Sequence, residues 1–126
     1  MRACWDRLNS CRGYFRVMNL VFRVGDAKVE GKTLHVGILE LENAVFALFW
    51  EGAEPRLGST TVTLPGTASS QLLGDRDQLL GRILGTHLAV KYGKVSLVST
   101  YLSQGYSEEM GKTLLELVRH VMEERS

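Results

Sequence analysis

The chain has 126 residues, of which 44% are hydrophobic and 23% charged, and its formal net charge is +1. Such a length and balance suit one domain with a core of its own, and exclude the disulfide-stapled miniprotein and the disordered chain. A charge this near neutral supplies no basic field for nucleic acid and no acidic field for basic partners.

The N-terminal segment carries both cysteines, Cys4 and Cys11. Their spacing fits neither a zinc knuckle nor a CxxC redox pair, and so low a cysteine count favours a reducing, cytoplasmic setting. No secretory signal core stands here, and no apolar run approaches the roughly 20 residues of a membrane span. Residues 1–17 show no clear period, whereas regular alternation begins at Met18. Two readings stand for them: an irregular arm packed on the domain, or an extension upstream of a natural start at Met18. The domain itself is read as 18–126.

Val17–Val24 reads as a strand with Leu20, Phe22 and Val24 on one face and Asn19 and Arg23 on the other. Gly25-Asp26 and Gly31-Lys32 bracket a turn-rich connection. Thr33–Leu41 alternates, with Leu34, Val36, Ile38 and Glu40 on one parity, and apolar residues on both parities predict a strand covered at least in part on both faces. Glu42-Asn43 forms a compact turn before the strongly apolar Ala44–Trp50 strand, and three strands with short turns predict an antiparallel meander.

Glu51–Gly58 is a loop, Ser59–Leu64 a Thr- and Val-rich strand, and Thr67–Gly74 a polar, turn-forming stretch. Asp75 suits an N-cap, because its carboxylate accepts a bond from an otherwise unpaired helix N–H, and Gln78 completes a capping-box-like pair. Leu79, Leu80, Ile83, Leu84 and Leu88 then make an apolar helical face, stopped by Gly93. Val95–Leu102 is the next strand. Ser107 caps a last helix whose buried stripe is Met110, Leu114, Leu117, Val118 and Val121, with Lys112, Glu116, Arg119 and Glu123 in water. The order β-β-β-β-α-β-α predicts an α+β domain: a mainly antiparallel sheet of five to six strands carrying two helices.

The stretch Gly25–Thr33 nearly spells a phosphate loop, but five residues separate its glycines where four are needed. Thr33 also leads into a strand, whereas phosphate binding needs a helix N-terminus there. A hairpin is expected instead. His35, His87 and His120 fall on three elements with no cysteine or carboxylate at ligand spacing, so no metal site is expected. No GxSxG elbow surrounds the serines, and Asp75 and Asp77 are accounted for by helix initiation. Glu40 and Glu42 flank a turn and read as solvent-facing. No catalytic residue, cofactor site or metal site is therefore assigned.

Taken together, Phe49-Trp50, the loop Gly52-Ala53-Glu54-Pro55-Arg56-Leu57, the strand Ser59–Leu64 and Ser70-Gln71-Leu72-Leu73-Gly74-Asp75 follow one another in a telling order. In that order the chain resembles the fourth proteasome assembly chaperone family: an apolar strand ending in an aromatic, a Gly-Ala-x-Pro-x-Leu loop, a small-residue strand, then Ser-x-Leu-Leu-Gly-Asp before an amphipathic helix. The resemblance spans roughly residues 18–124 and is specific in the two short motifs. It departs over residues 1–17, and over 65–70, where Gly, Ser and Thr crowd the sequence.

That resemblance implies a small α+β chaperone that binds proteasome α subunits during α-ring assembly, without cofactor or ATP. It implies a dimer, with itself or with a like-folded relative. The expected interface residues are Phe46, Phe49, Trp50, Ser70, Leu72, Leu73 and Asp75, with Leu72 and Leu73 alternatively acting as a hydrophobic staple on the helix. A second reading is a ligand-binding domain or enzyme with a pocket between sheet and helices, built from His87, Ser99 and Tyr101. A deep pocket in which these groups face one another would favour it, and a filled core would end it.

Overall fold

The computed structural model describes residues 2–5, 10–17, 20–29, 31–66, 69–74, 78–102 and 108–122. Among them run β1 (Arg2–Trp5), β2 (Ser10–Val17), β3 (Leu20–Val29), β4 (Lys32–Glu40), β5 (Ala44–Glu51), β6 (Ser59–Thr63), β7 (Ser69–Leu73), α1 (Gln78–Tyr92), β8 (Val95–Tyr101) and α2 (Glu108–Met122). The α+β class holds, with a longer sheet than the periodicity suggests: eight strands in the order β1-β2-β3-β4-β5-β8-β6-β7.

The first five strands form an antiparallel meander. Its β4–β5 turn is closed by the Leu41 N–H donating to the Ala44 carbonyl at 2.8 Å. The stretch that nearly spells a phosphate loop is a hairpin, for Gly25 lies in β3 and Thr33 in β4. The chain then skips a position. The β6–β7 hairpin and α1 intervene before β8 returns between β5 and β6, parallel to β5 and antiparallel to β6. A parallel neighbour needs such a crossover, and α1 supplies it.

Residues 2–5 and 10–17, expected to be irregular, are strands here, with Cys4 opposite Cys11 in register. Ser69–Leu73, expected to be a turn-forming stretch, is the edge strand β7. Its polar residues are matched by partners on β6: the Thr61 hydroxyl donates to Gln71 Oε1 at 2.9 Å, and Thr63 Oγ1 and Ser69 Oγ share a bond of 2.7 Å. Hydroxyl pairing of this kind sustains a strand without an apolar alternation.

Both helices cover one face of the sheet. Leu80, Leu84 and Leu88 of α1 and Met110, Leu114, Leu117, Val118 and Val121 of α2 form one buried cluster with Leu34, Val36, Ile38, Val45, Ala47, Phe49 and Val98 of the sheet. The α2 stripe is the one its spacing predicts, with Lys112, Glu116 and Arg119 exposed. The α1 stripe is rotated from expectation. Leu79 is 55% exposed, while Gly81 and Gly85 are buried.

The reason is close packing. A Cβ on Gly81 would stand 2.5 Å from Thr61 Oγ1, and one on Gly85 would stand 2.5 Å from Thr63 Oγ1. The glycines let the helix axis approach β6, and Ser96 Oγ donates to the Gly85 carbonyl at 2.8 Å. Gly93, with φ of 63°, ends α1 as expected, its N–H returning to the Ala89 carbonyl at 2.8 Å.

Candidate functional site

The face of the sheet away from the helices carries a cross-strand apolar row. Phe22 stands opposite Leu39, Leu39 opposite Phe46, Phe46 beside Leu97, and Leu97 opposite Val62. All five are half-buried, on the side of the sheet opposite the described helices. Directly paired residues share a face, so the register alone lines them up. A second row, two residues along, reads Val24, Gly37, Leu48 and Ser99.

The third row is polar and aromatic. Asp26 of β3 stands opposite His35 of β4, His35 opposite Trp50 of β5, and Trp50 beside Tyr101 of β8. The His35 and Trp50 rings stack with centroids 5.2 Å apart and planes 13° apart, and His35 Nδ1 lies 3.5 Å from Asp26 Oδ2. The indole lies over Gly37, whose Cβ position would stand 3.7 Å from Trp50 Cζ3, an ordinary packing distance. At the far end the Arg56 guanidinium sits 5.5 Å over the Tyr101 ring, a cation–π contact. The row is thus acidic at one end and basic at the other. Beside it lies an open depression of about 460 Å³ lined by Gly31, Lys32, Thr33, His35, Glu51, Gly52 and Ala53.

Two surface segments adjoin this face. The loop from Gly52 to Leu57 is exposed along its length, with Leu57 at 58%. It is anchored by Gly58, whose N–H donates to Ser99 Oγ at 2.8 Å. Only glycine fits there, since a Cβ would fall 1.9 Å from the Thr100 carbonyl oxygen. On the sheet edge, Leu72 and Leu73 of β7 are 54% and 51% exposed. A register shift between Thr60 and Thr61 places Thr60 opposite Leu73 and Thr61 opposite Gln71, so Leu72 falls in a bulge.

The residues expected at an interface divide accordingly. Phe46, Trp50 and Ser70 lie on the helix-free side, by their pairing with Leu97, Tyr101 and Val62. Leu72 and Leu73 are exposed rather than clamped under the helix. Phe49 does not belong with them: it is fully buried among the helix-side residues, because its parity on β5 is that of Val45 and Ala47. Asp75 lies outside the described residues, as do Ser107 and Glu123.

On β3 and β4 the covered side runs against a simple polar-out reading. Arg23, on the parity opposite Phe22 and Val24, is 4% exposed on the helix side, whereas those two apolar residues are on the open one. Its guanidinium donates to Glu40 Oε1 at 3.2 Å, and Lys94 Nζ reaches Glu40 Oε2 at 3.4 Å. Glu40, expected to face solvent, is therefore a half-buried carboxylate between two cations. The alternation of β3 continues through Gly25 to Val29, which is why a turn at Gly25 does not occur.

The groups named for a ligand pocket do not converge. Ser99 and Tyr101 share the helix-free side of β8, whereas His87 stands on α1 across the sheet. Burial, with Lys91 and Arg119 adding positive charge, holds the His87 imidazole below its ordinary pKa. Among the described residues no three His, Cys, Asp or Glu side chains gather closely enough to hold a metal ion. No helix of the described residues is long and apolar enough to cross a membrane. The row from Asp26 to Arg56 and the bulge at Leu72 went unforeseen. The apolar character of Phe46–Trp50 was the signal available, but the partners of each residue follow from register.

Compared with known proteins, the chain matches no protein-family model, and no curated protein matches it in sequence. The resemblance to the chaperone family thus rests on the two short motifs and their order.

Proposed function

We propose that this protein is a non-catalytic chaperone of proteasome α-ring assembly, acting in the cytoplasm without a cofactor. It binds α subunits and works as a dimer, with itself or with a like-folded partner. One observation carries the reading. The motif segments that resemble the chaperone family both lie at the surface, and they put Leu57, Leu72 and Leu73 more than half in solvent. Scattered exposed leucines need no explanation, but leucines on a loop and an edge strand beside an apolar sheet face describe a binding surface.

A binding surface of this kind fits the work of holding subunits in neighbouring positions. Leucines that insert into a partner give up exposed apolar area, at about 25 cal/mol per Å². The contact is reversible, since it forms and breaks no covalent bond. An assembly factor that leaves the mature ring has that requirement.

The test is to mix the purified protein with individual proteasome α subunits and weigh intact complexes by native mass spectrometry. A defined complex with at least one α subunit is expected. Free protein persisting with every α subunit would sink the reading.

A further inference from the structure

Both helices turn one side to water, and the two sides differ in kind. The outer side of α2 carries Glu109, Lys112, Glu116 and Arg119, charges of both signs, as befits a helix covered on one side only. The outer side of α1 is apolar. Leu79 is 55% exposed and Val90 69%, the most exposed large apolar side chain among the described residues, and Ile83 is half-buried beside them. At about 100° and 1.5 Å per residue, Leu79, Ile83, Thr86 and Val90 fall within roughly 60° of arc over about 16 Å of helix. This stripe points away from the one that Leu80, Leu84 and Leu88 bury in the core. A helix apolar on both sides suits an interior, so a stripe left in water marks a contact with another molecule.

The charges around the stripe define the other molecule. α1 contains no Asp or Glu. Its helical spacing puts Arg82 on one flank of the stripe and Lys91 on the other. Arg119 of α2 joins the second flank, coming close enough for its charge to act on His87. Arg82, Lys91 and Arg119 are all exposed, and among the described residues none of them forms an ion pair. Three unpaired cations framing an apolar stripe complement a surface that is apolar along its middle and acidic on both sides. That surface is helical. An extended segment would find no backbone groups to pair with, because those of α1 are bonded within the helix, whereas an incoming helix brings its own already satisfied.

We propose that the outer face of α1 is a docking surface for an acidic amphipathic helix of a partner protein. Its apolar side chains lie along Leu79, Ile83 and Val90, and its carboxylates meet Arg82 on one flank and Lys91 and Arg119 on the other. This is the helix-on-helix mode of recognition, in which anchors recur every three or four residues. A basic helix is rejected there, since it would set like charges together on both flanks. The surface is independent of the chaperone reading, for none of these residues lies in the Gly52–Leu57 or Ser70–Asp75 motifs.

The test uses the full-length protein and a stapled, fluorescein-labelled helical peptide with a leucine stripe and glutamates on both flanks. Fluorescence anisotropy is expected to show saturable binding in the micromolar range. A scrambled peptide of the same composition, and one with lysine in place of glutamate, should bind at least tenfold more weakly. Joint replacement by Leu79→Ser and Val90→Ser should weaken the acidic peptide at least tenfold. Arg82→Glu should weaken it several-fold and improve binding of the lysine peptide. Lys28→Glu, an exposed charge change on β3, should leave affinity unchanged and so separates docking from general attraction. All four positions are exposed, where substitutions seldom disturb folding, and circular dichroism verifies it. Absence of binding, equal binding of the scrambled peptide, or indifference to the Leu79 and Val90 changes would each overturn the proposal. Binding of phosphatidylserine vesicles without binding of the peptide would overturn it too, in favour of a lipid surface.

Discussion

Arg23 of β3 donates to Glu40 of β4 at 3.2 Å from a guanidinium that is 5% exposed, on the side of the sheet covered by helices. A buried cation is tolerable only while its partner stays charged and close, because the desolvation cost of the arginine is met by that pairing. Lys94, reaching the other carboxylate oxygen at 3.4 Å, makes Glu40 the hub that ties β3, β4 and the start of β8.

Replacing the hub is therefore expected to cost more than removing a surface charge. Glu40→Gln should destabilise the fold by about 3 kcal/mol, the low end for breaking a buried pair. Arg23→Met, which removes the buried charge itself, should cost less. Urea unfolding midpoints of the two variants check the ranking, and an equal loss would show that the pair behaves as an exposed one.

Two phenylalanines three residues apart on β5 make a second contrast. Phe49 is fully buried under the helices and Phe46 half-buried on the open face. Phe49→Ala should cost about 3–5 kcal/mol through the cavity it leaves, and Phe46→Ala under about 1.5 kcal/mol, as a partial loss of burial. Phe46→Asp should leave the monomer folded while abolishing self-association. Thermal melts paired with sedimentation separate stability from assembly.

The contact of α1 with β6 predicts an unusual response to alanine. Gly→Ala inside a helix ordinarily gains up to about 1 kcal/mol. Here the new methyl group of Gly85→Ala would meet Thr63 Oγ1, which is held by its bond to Ser69. Turning the threonine aside breaks that bond, so Gly85→Ala should destabilise by about 1–3 kcal/mol, the usual cost of overpacking. Adding Thr63→Ala should recover part of the loss, and a double-mutant cycle in urea measures how much.

His87 gives the protein a pH dependence of known sign. Its folded pKa lies below the ordinary imidazole value of about 6.5, through burial first and then the charges of Lys91 and Arg119. The unfolded chain therefore binds the proton more readily than the folded one, and stability rises with pH between the two pKa values. The imidazole's contribution is at its full value above about 6.5. As pH falls below that point it diminishes, until the folded-state pKa is passed. His87→Gln should flatten this part of the stability profile. Unfolding midpoints from pH 8 to pH 5 for both proteins test it, and parallel curves would refute it.

The surface leucines supply the prediction closest to function. Leu57→Asp and Leu72→Asp should leave the melting temperature within about 2 °C, since exposed substitutions usually move stability by less than 0.5 kcal/mol or so. Both should weaken any complex with an α subunit at least tenfold. Isothermal titration against the subunit that binds the unaltered protein checks this. Unchanged affinity in both variants would remove the motif segments from the interface.

Local physics, legible in the sequence, determined much of this protein. Alternation located β4, β5 and β8, the helical stripe of Met110 to Val121 placed α2, and the freedom of Gly93 ended α1. The tertiary structure alone decided which side of each strand is covered. An alternating strand has two faces, and Arg23 lies on the helix side because Glu40 and the register with β4 hold it there, while Phe22 and Val24 are left on the open side. Polar β7 is a strand only because Thr61 and Thr63 of β6 receive it. The insertion of β8 between β5 and β6 joins segments about 50 residues apart through a crossover, and no local period encodes it. The row from Asp26 to Arg56 is assembled from four strands and a loop. It exists only once their registers are set, because its chemistry belongs to neighbours across the sheet rather than along the chain.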